Sequence, residues 1–127
     1  MTEAVLDASA ILAFLRREPG AEVVRPFLRG GRLSSVNYAE VLARAADIGI
    51  PVETTESIMN DLGVRRVHFD DAQARVTASL RPLTKTLGLS LADRACLALA
   101  TLTGLPVLTS DAIWKNANVN VEVRLIR

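Results

Sequence analysis

The stretch AVLDASAILAFL, residues 4–15, decides how this chain folds. Its first three residues form a short apolar run typical of a buried strand, and Asp7 ends that run. Residues 8–15 then predict a buried helix that stops before Pro19 and Gly20. In open α/β sheets, ligands bind beyond the carboxyl ends of the strands, so an acid directly after a strand is a candidate site residue.

The same alternation of short strands and helices continues to the end of the chain. Further strands are predicted at residues 32–35, 64–69, 106–109 and 121–126. Helices or amphipathic helical stretches are predicted at residues 21–28, 36–48, 52–62, 70–87 and 90–103, with a short turn of helix after Asp111. The pattern predicts one α/β domain over residues 1–127, a three-layer sandwich in which helices flank a mainly parallel sheet.

Local signals refine these helices. Pro26 interrupts the helix at residues 21–28, and Pro82 is expected to kink or end the helix at residues 70–87 early. Ser35 is predicted to cap the helix at residues 36–48. The buried stripe of that helix is expected at positions 36, 39, 42, 43 and 46.

Composition excludes several classes of protein. Fifteen Lys and Arg against fourteen Asp and Glu leave a net charge of +1, far from the basic balance of a dedicated nucleic-acid coat protein. Cys96 is the only cysteine, so a disulfide within the chain is impossible and a buried, inert thiol is expected. No signal peptide or membrane-spanning run is recognisable, which favours a cytoplasmic protein.

Two acids follow predicted strands directly. Asp7 could simply cap the helix that begins at Ala8, and Asp111 could cap the short segment that reaches Trp114. Trp114 itself is expected to pack in the core. Because both strands belong to one parallel sheet, both acids are also expected on the same rim of that sheet.

Two further acids lie on predicted helices. Glu40 is followed by Arg44 at the i+4 spacing of a solvated ion pair, which is the simpler interpretation of that acid taken alone. Asp93 follows Ser90 by three residues, as in a capping box. The helix after Asp93 is uncharged over residues 95–102, and a carboxylate entering a buried helix needs a metal, a cation or several donors.

His68 is the only histidine, and it ends a predicted strand between Val67 and Phe69. Core packing is therefore a simpler interpretation of this side chain than catalysis. Without a second histidine, or more than one cysteine, a zinc site is not indicated either.

Four short motifs occur in a fixed order. They are Asp7-Ala-Ser9, Asn37-Tyr-Ala-Glu40-Val, Leu89-Ser-Leu-Ala-Asp93 and Leu108-Thr-Ser-Asp111, and 33, 53 and 18 residues separate their acids. Together they resemble the successive signatures of the PIN-domain family over nearly the whole chain, although each is weak alone. The short length makes the chain most similar to the VapC-type toxins of toxin–antitoxin pairs.

This resemblance implies a PIN-like sandwich with endoribonuclease activity that a small antitoxin protein holds inactive. The RNA substrate would be a tRNA or ribosomal RNA loop, and a homodimer is expected. Asp7, Glu40 and Asp93 match the three acids common to PIN sites, and Asp111 matches the more variable fourth. The polar neighbours that match supporting positions are Ser9, Asn37 and Thr109.

The expected chemistry agrees with the residue types. Mg²⁺ and Mn²⁺ prefer oxygen ligands, and Mg²⁺ sites in proteins usually combine carboxylates with water and substrate phosphates. Such ions can activate water and neutralise the charge that develops when a phosphodiester is cleaved. The four acids are therefore expected to hold Mg²⁺ or Mn²⁺, and Asn at position 7 or 93 is expected to abolish cleavage without unfolding the protein.

Two other interpretations compete with this one. A haloacid-dehalogenase-like phosphatase or a response-regulator receiver domain also uses acids at strand ends. Ser9 stands where the dehalogenase-like pattern has a second Asp, and Lys85 and Lys115 fit the lysine placements of either family poorly. The second alternative is a catalytically inactive PIN-like interaction module in which the acids are caps and surface pairs, and residues 52–62 mediate association.

Overall fold

The computed structural model describes residues 3–127, with a five-stranded sheet at its centre. The strands are β1 (Val5–Leu6), β2 (Arg32–Ser34), β3 (Arg65–Val67), β4 (Val107–Thr109) and β5 (Val123–Leu125). The α-helices are α1 (Ala8–Leu15), α2 (Ala21–Val24), α3 (Ser35–Asp47), α4 (Val52–Leu62), α5 (Asp71–Ser79), α6 (Arg81–Thr84) and α7 (Leu91–Thr103). Short 3₁₀ helices occupy Arg25–Phe27, Lys85–Leu87 and Ala112–Asn116.

All four strand pairings are parallel, and the spatial order is β3-β2-β1-β4-β5. The chain moves outward from β1 to β3 on one side, then returns to place β4 and β5 on the other side of β1. The order therefore reverses between β1 and β4, and a crevice at such a reversal is where open α/β sheets bind ligands. The predicted parallel sheet is confirmed, and Asp7 and Asp111 follow the two central strands of this crevice.

Apolar side chains fill both faces of the sheet. Leu6 and Leu108 pack into one core with α1, α2 and α4, whereas Val5 and Val107 pack into a second core with α7. Successive strand residues point to opposite faces, so each central strand serves both cores. This arrangement confirms the three-layer sandwich. No helix in the described part of the chain is long and apolar enough to cross a membrane.

Helix α3 differs from its prediction in two respects. Ser34, not Ser35, is the N-cap, because its hydroxyl accepts a hydrogen bond from the Val36 N–H while Ser35 is already helical. The predicted stripe was wrong as well: the fully buried positions are Asn37, Val41 and Ala45. The apolar pattern gave the wrong face for two reasons. Alanines lie on both faces of this helix, and a polar residue, Asn37, is buried.

The proline predictions are confirmed. The helix predicted at residues 70–87 ends at Ser79 and restarts as α6, with Pro82 in the first turn of the new helix. The helix predicted at residues 21–28 becomes a 3₁₀ helix that contains Pro26. Proline lacks the N–H that an uninterrupted α-helix would need there.

The burial prediction for His68 was wrong. His68 is exposed and lies outside β3, which ends one residue earlier, so it is not packed in the core. A short edge strand has one flank open to solvent, and therefore its terminal residues need not be buried. In α4 the buried residues are Thr55 and Met59, whereas Val52 and Ile58 are exposed. Trp114 and Cys96 are buried, as expected.

Candidate active site

Asp7 lies at the carboxyl end of β1 and is the N-cap of α1. Its Oδ1 accepts hydrogen bonds from the Ala10 N–H at 2.8 Å and from the Ser9 hydroxyl at 2.7 Å. Its Oδ2 accepts one from the Thr109 hydroxyl at 2.6 Å. The capping role predicted for Asp7 is confirmed, and the side chain is in addition almost fully buried, with 6% of its surface exposed.

Thr109 and Ser9 join the two central strands around this carboxylate. The Thr109 Oγ1 also accepts a hydrogen bond from the Asp111 N–H, and the Ser9 Oγ accepts one from the Ser110 N–H. Each hydroxyl thus donates to Asp7 and accepts from the loop after β4. The network holds the Asp7 carboxylate in one orientation relative to that loop.

Burial raises the pKa of Asp7 to about 6, because a buried carboxylate loses the solvation of its charged form. Hydrogen bonds from Thr109, Ser9 and the Ala10 N–H oppose this effect. The negative charge of Asp93 raises the pKa further. The repulsion between the Asp7 and Asp93 carboxylates favours the binding of a cation near them.

Glu40 and Asp93 approach from different helices. Glu40 lies in α3, where its Oε2 is 3.9 Å from the Arg44 Nε, so the predicted i,i+4 ion pair is present. Asp93 lies in the first turn of α7 and completes the predicted capping box with Ser90. Between them, the Asn37 Nδ2 donates to the Ala92 carbonyl at 3.1 Å and ties α3 to the start of α7.

Asp111 follows β4 and caps the short 3₁₀ helix that carries Trp114, as predicted. Its Oδ1 accepts a hydrogen bond from the Ile113 N–H at 3.1 Å. The carboxylate is exposed, unlike that of Asp7. It stands at the outer edge of the crevice between β1 and β4.

One open cavity of about 370 Å³ connects all four predicted acids, and we call it the acid pocket. The residues lining it are Asp7, Ala8, Ser9, Asn37, Glu40, Arg44, Asp93, Ser110 and Asp111. The charges of these acids also act on Cys96, which is buried in α7. After burial itself, the charges of Asp7, Asp93 and Glu40 raise the pKa of this thiol well above its usual value.

Comparison with known proteins agrees with this arrangement. A family model of the PIN domain matches residues 4–120. The chain belongs to the PIN-domain family. Ribonuclease VapC42 of Mycobacterium tuberculosis and a VapC ribonuclease of Mycobacterium bovis are each 32% identical to it over 114 residues, which cover 82% of this chain and 87% of those proteins.

Solved structures share this PIN fold. FitAcB from Neisseria gonorrhoeae has a TM-score of 0.71 at 27% identity, covering 94% of this chain and 95% of the other. DNA-bound VapBC from Salmonella typhimurium has a TM-score of 0.74 at 15% identity, and both chains are covered completely. The resemblance to VapC-type proteins that the four motifs predicted is confirmed.

The residues of this PIN domain suit a hard divalent cation. The pocket offers carboxylate oxygens, and the Asn37 Oδ1 is a buried acceptor without a hydrogen-bond partner among residues 3–127. Within the same range, no three Asp, Glu, His or Cys side chains are arranged to hold a metal ion as they stand. Asp7, Asp93 and Asp111 accept hydrogen bonds from nearby donors in the N-terminal caps of their helices.

Sequence reasoning missed two polar residues of the pocket. Arg44 lines it, although the sequence favoured a solvated partner of Glu40 on the helix surface. Ser110 lines it and fixes Ser9 through its backbone N–H, a role that no side-chain pattern signals. Thr109, which the resemblance implied, is fully buried and does not line the pocket, but it is hydrogen-bonded to Asp7 and to the Asp111 N–H, which do.

Proposed function

We propose that this PIN domain is a metal-dependent endoribonuclease, the toxin of a VapBC-type pair, and that it hydrolyses RNA phosphodiester bonds in the cytoplasm. The observation that carries the proposal is the convergence of four carboxylates on one pocket at the crevice between β1 and β4. Similarity to VapC ribonucleases over most of the chain supports it.

Asp7, Glu40, Asp93 and Asp111 would hold Mg²⁺ or Mn²⁺, which supplies charge neutralisation at the phosphate and lowers the pKa of attacking water. Asp7 would be a preoriented ligand, because Ser9 and Thr109 fix its two oxygens. Asp111 and Glu40 stand nearer the solvent, where a phosphodiester would arrive. Arg44 on the rim of the pocket offers a guanidinium that can contact a phosphate oxygen.

The decisive experiment is cleavage of total cellular RNA by the purified protein with Mg²⁺, Mn²⁺ or EDTA. Asp7→Asn and Asp93→Asn are the test variants, and Asp70→Asn is a matched control, since Asp70 caps α5 through the Gln73 N–H but does not line the pocket. We expect discrete fragments that require the metal and Asp7 and Asp93, but not Asp70. Equal cleavage by all variants would refute the proposed site, and no cleavage by the wild-type protein would favour the inactive interaction module.

A second cavity supports an antitoxin partner. This groove, of about 600 Å³, runs between α1 and α2 and is lined by Phe14, Leu15, Arg17, Ala21, Glu22 and Arg25. Its apolar floor and charged rim suit a short amphipathic segment of a small protein. The proposal predicts that a small protein encoded beside this chain co-purifies with it, and that Leu15→Glu prevents this without reducing RNA cleavage.

We propose a homodimer as well. Ile48, Val52 and Ile58 are exposed apolar side chains on α4 and in the approach to it. A second copy could cover them, while Thr55 and Met59 keep α4 packed on its own core. Light scattering is expected to give twice the monomer mass for the wild-type protein and the monomer mass for Ile58→Glu; a wild-type monomer would refute the dimer.

A further inference from the structure

The chain is nearly neutral, but its charge is unevenly distributed around the acid pocket. Residues 40–61, in α3, α4 and the turn between them, contain five acids and one arginine. Residues 72–92, from α5 to the first turn of α7, contain three cations and no acid. The first segment begins at Glu40 and the second ends directly before Asp93, and both of these acids line the pocket. A polyanion that approaches the pocket is therefore repelled along one side and attracted along the other.

The cations of the second segment have no carboxylate partner. Arg75 lies on α5, Arg81 begins α6, and Lys85 begins the 3₁₀ helix after it. All three side chains are exposed, and none forms an ion pair within residues 3–127. Lys85 is eight residues from Asp93, so their Cα atoms are at most about 28 Å apart. About eight nucleotides cover that distance at ~3.4 Å per phosphate, so a short RNA strand in the pocket can reach this lysine.

Two leucines are exposed in the same stretch. Leu83 lies on α6 with 47% of its surface exposed. Leu91 begins α7 with 58% exposed, the largest fraction for a big apolar residue in the part of the chain that the structure describes. It lies two residues before Asp93, in the same helical turn. Apolar side chains beside cations suit single-stranded nucleic acid, because unpaired bases offer apolar faces and phosphates offer charge.

We infer that residues 81–91, from α6 to the first turn of α7, form the surface along which single-stranded RNA enters the acid pocket. We call these residues the entry surface. Arg81 and Lys85 bind phosphates of the strand, and Leu91 contacts a base close to the phosphate that the pocket holds. This inference rests on the proposed function, because it locates the substrate of the acid pocket.

Charge distinguishes the entry surface from the two faces assigned above to protein partners. On α4, the exposed residues Val52 and Ile58 lie beside Glu53 and Glu56. These two acids repel RNA. The rim of the groove between α1 and α2 carries Glu22 as well as two arginines. The entry surface combines exposed leucines with cations and contains no acid, which favours a nucleic acid as its partner.

The test is the binding of a fluorescent single-stranded RNA of about 15 nucleotides, measured by anisotropy in EDTA at several KCl concentrations. The test protein carries Arg81→Gln and Lys85→Gln, and the control carries Arg29→Gln and Arg65→Gln. Arg29 precedes β2 and Arg65 begins β3, so both lie at the opposite end of the parallel sheet from the pocket. They are also exposed and without an ion pair within residues 3–127, so the two proteins lose equal charge.

We expect the test protein to lower the slope of log affinity against log salt by about 1.4, since each phosphate contact with a single strand contributes about 0.7. Its RNA cleavage should show a raised KM with nearly unchanged kcat, because these contacts are made to substrate and transition state alike. The control protein should keep the wild-type slope and KM.

Leu91→Ala tests the apolar contact separately. It should weaken RNA binding about 3- to 10-fold at every salt concentration, because an apolar contact releases no counterions. Leu102→Ala is the matched control, since Leu102 lies near the other end of α7 with 50% of its surface exposed. It should bind RNA as the wild type does.

Equal salt slopes in the two double variants would overturn the inference, and continued RNA cleavage by the wild type would leave the proposed function standing. Wild-type RNA affinity in the test protein, together with loss of the homodimer or of a co-purifying protein, would assign this surface to a protein partner and would also overturn it. A wild-type protein that neither binds nor cleaves RNA would overturn the proposed function and the inference together.

Discussion

The acid pocket and the start of α5 are built from the same local parts. Each has an aspartate N-cap, Asp7 or Asp70, that accepts a backbone N–H three residues later. Each has a buried amide, Asn37 or Gln73, that donates to a backbone carbonyl. They differ in their tertiary surroundings. The pocket lies at the crevice of the sheet, where three more acids lie close to Asp7, whereas the start of α5 lies outside this crevice. Helix capping therefore does not distinguish a structural acid from a site acid.

The largest expected effect is a difference in RNA cleavage between variants of these two capping residues. Asp7→Asn should reduce metal-dependent RNA cleavage by more than about 100-fold, since even outer-shell partners of a metal ligand are worth 10- to 100-fold. Asp70→Asn should leave cleavage unchanged and cost at most about 1 kcal/mol of unfolding free energy, as weakened caps do. Rates from a defined RNA and urea unfolding curves measure both. A comparable loss of activity in Asp70→Asn would erase the distinction.

The second prediction concerns pH and stability without metal. The pKa of Asp7 is about 6 in the folded protein and near 3.8 when unfolded, so the folded state retains the proton to a higher pH than the unfolded state does. The contribution of Asp7 to the free energy of unfolding should therefore be largest below pH 4. It should fall by up to about 3 kcal/mol as the pH rises through 6.

Urea unfolding in EDTA between pH 4 and 8 checks this prediction. Asp7→Asn should lack this part of the slope, whereas Asp70→Asn should retain it. Added Mg²⁺ should restore the stability of the wild-type protein at pH 7, because a ligand that binds only the folded state stabilises it. An Asp7→Asn profile that matches the wild type would show that Asp7 does not titrate as described.

The third prediction compares two buried threonines. Thr109→Val removes the hydroxyl that donates to Asp7 at 2.6 Å, and it should cost about 1.5–3 kcal/mol at pH 7 and raise the pKa of Asp7 further. Thr77 is equally buried, but its hydroxyl has no partner within residues 3–127. Thr77→Val should therefore be neutral or slightly stabilising in the same unfolding assay. Equal losses of unfolding free energy in the two variants would mean that the hydrogen bond from Thr109 to Asp7 contributes no measurable stability.

The smallest stability effect is expected at Glu40. Its contact with Arg44 is long and largely exposed, so Glu40→Gln and Arg44→Gln should each change the unfolding free energy by less than about 0.5 kcal/mol. Only Glu40→Gln should weaken Mn²⁺ binding in calorimetry, because only that variant removes a carboxylate from the pocket. A reduced affinity in Arg44→Gln would show that the arginine helps to organise the site.

Sequence patterns located the acids well, and the strands to within a few residues. Asp7, Ser90 with Asp93, and Asp111 occupy the caps that their spacing predicted, since capping depends on groups within three residues. The prediction of the buried face of α3 was wrong because alanines on both sides of the helix weaken its hydrophobic periodicity. Neither Arg44 nor the Ser110 N–H could be assigned to the pocket, since their place there depends on how α3 and the loop after β4 approach each other.

By itself, the sequence determined the alternation of strands and helices, the parallel sheet, the family and the candidate acids, because short-range patterning and motif order encode them. Only the tertiary structure decided which capping acid is buried, that Ser9 and Thr109 grip it across two strands, and that Asn37 ties α3 to α7. The physical reason is that desolvation and repulsion depend on distances between residues far apart in the chain. Asp7 and Asp70 have the same capping pattern, and their surroundings alone give them different chemistry.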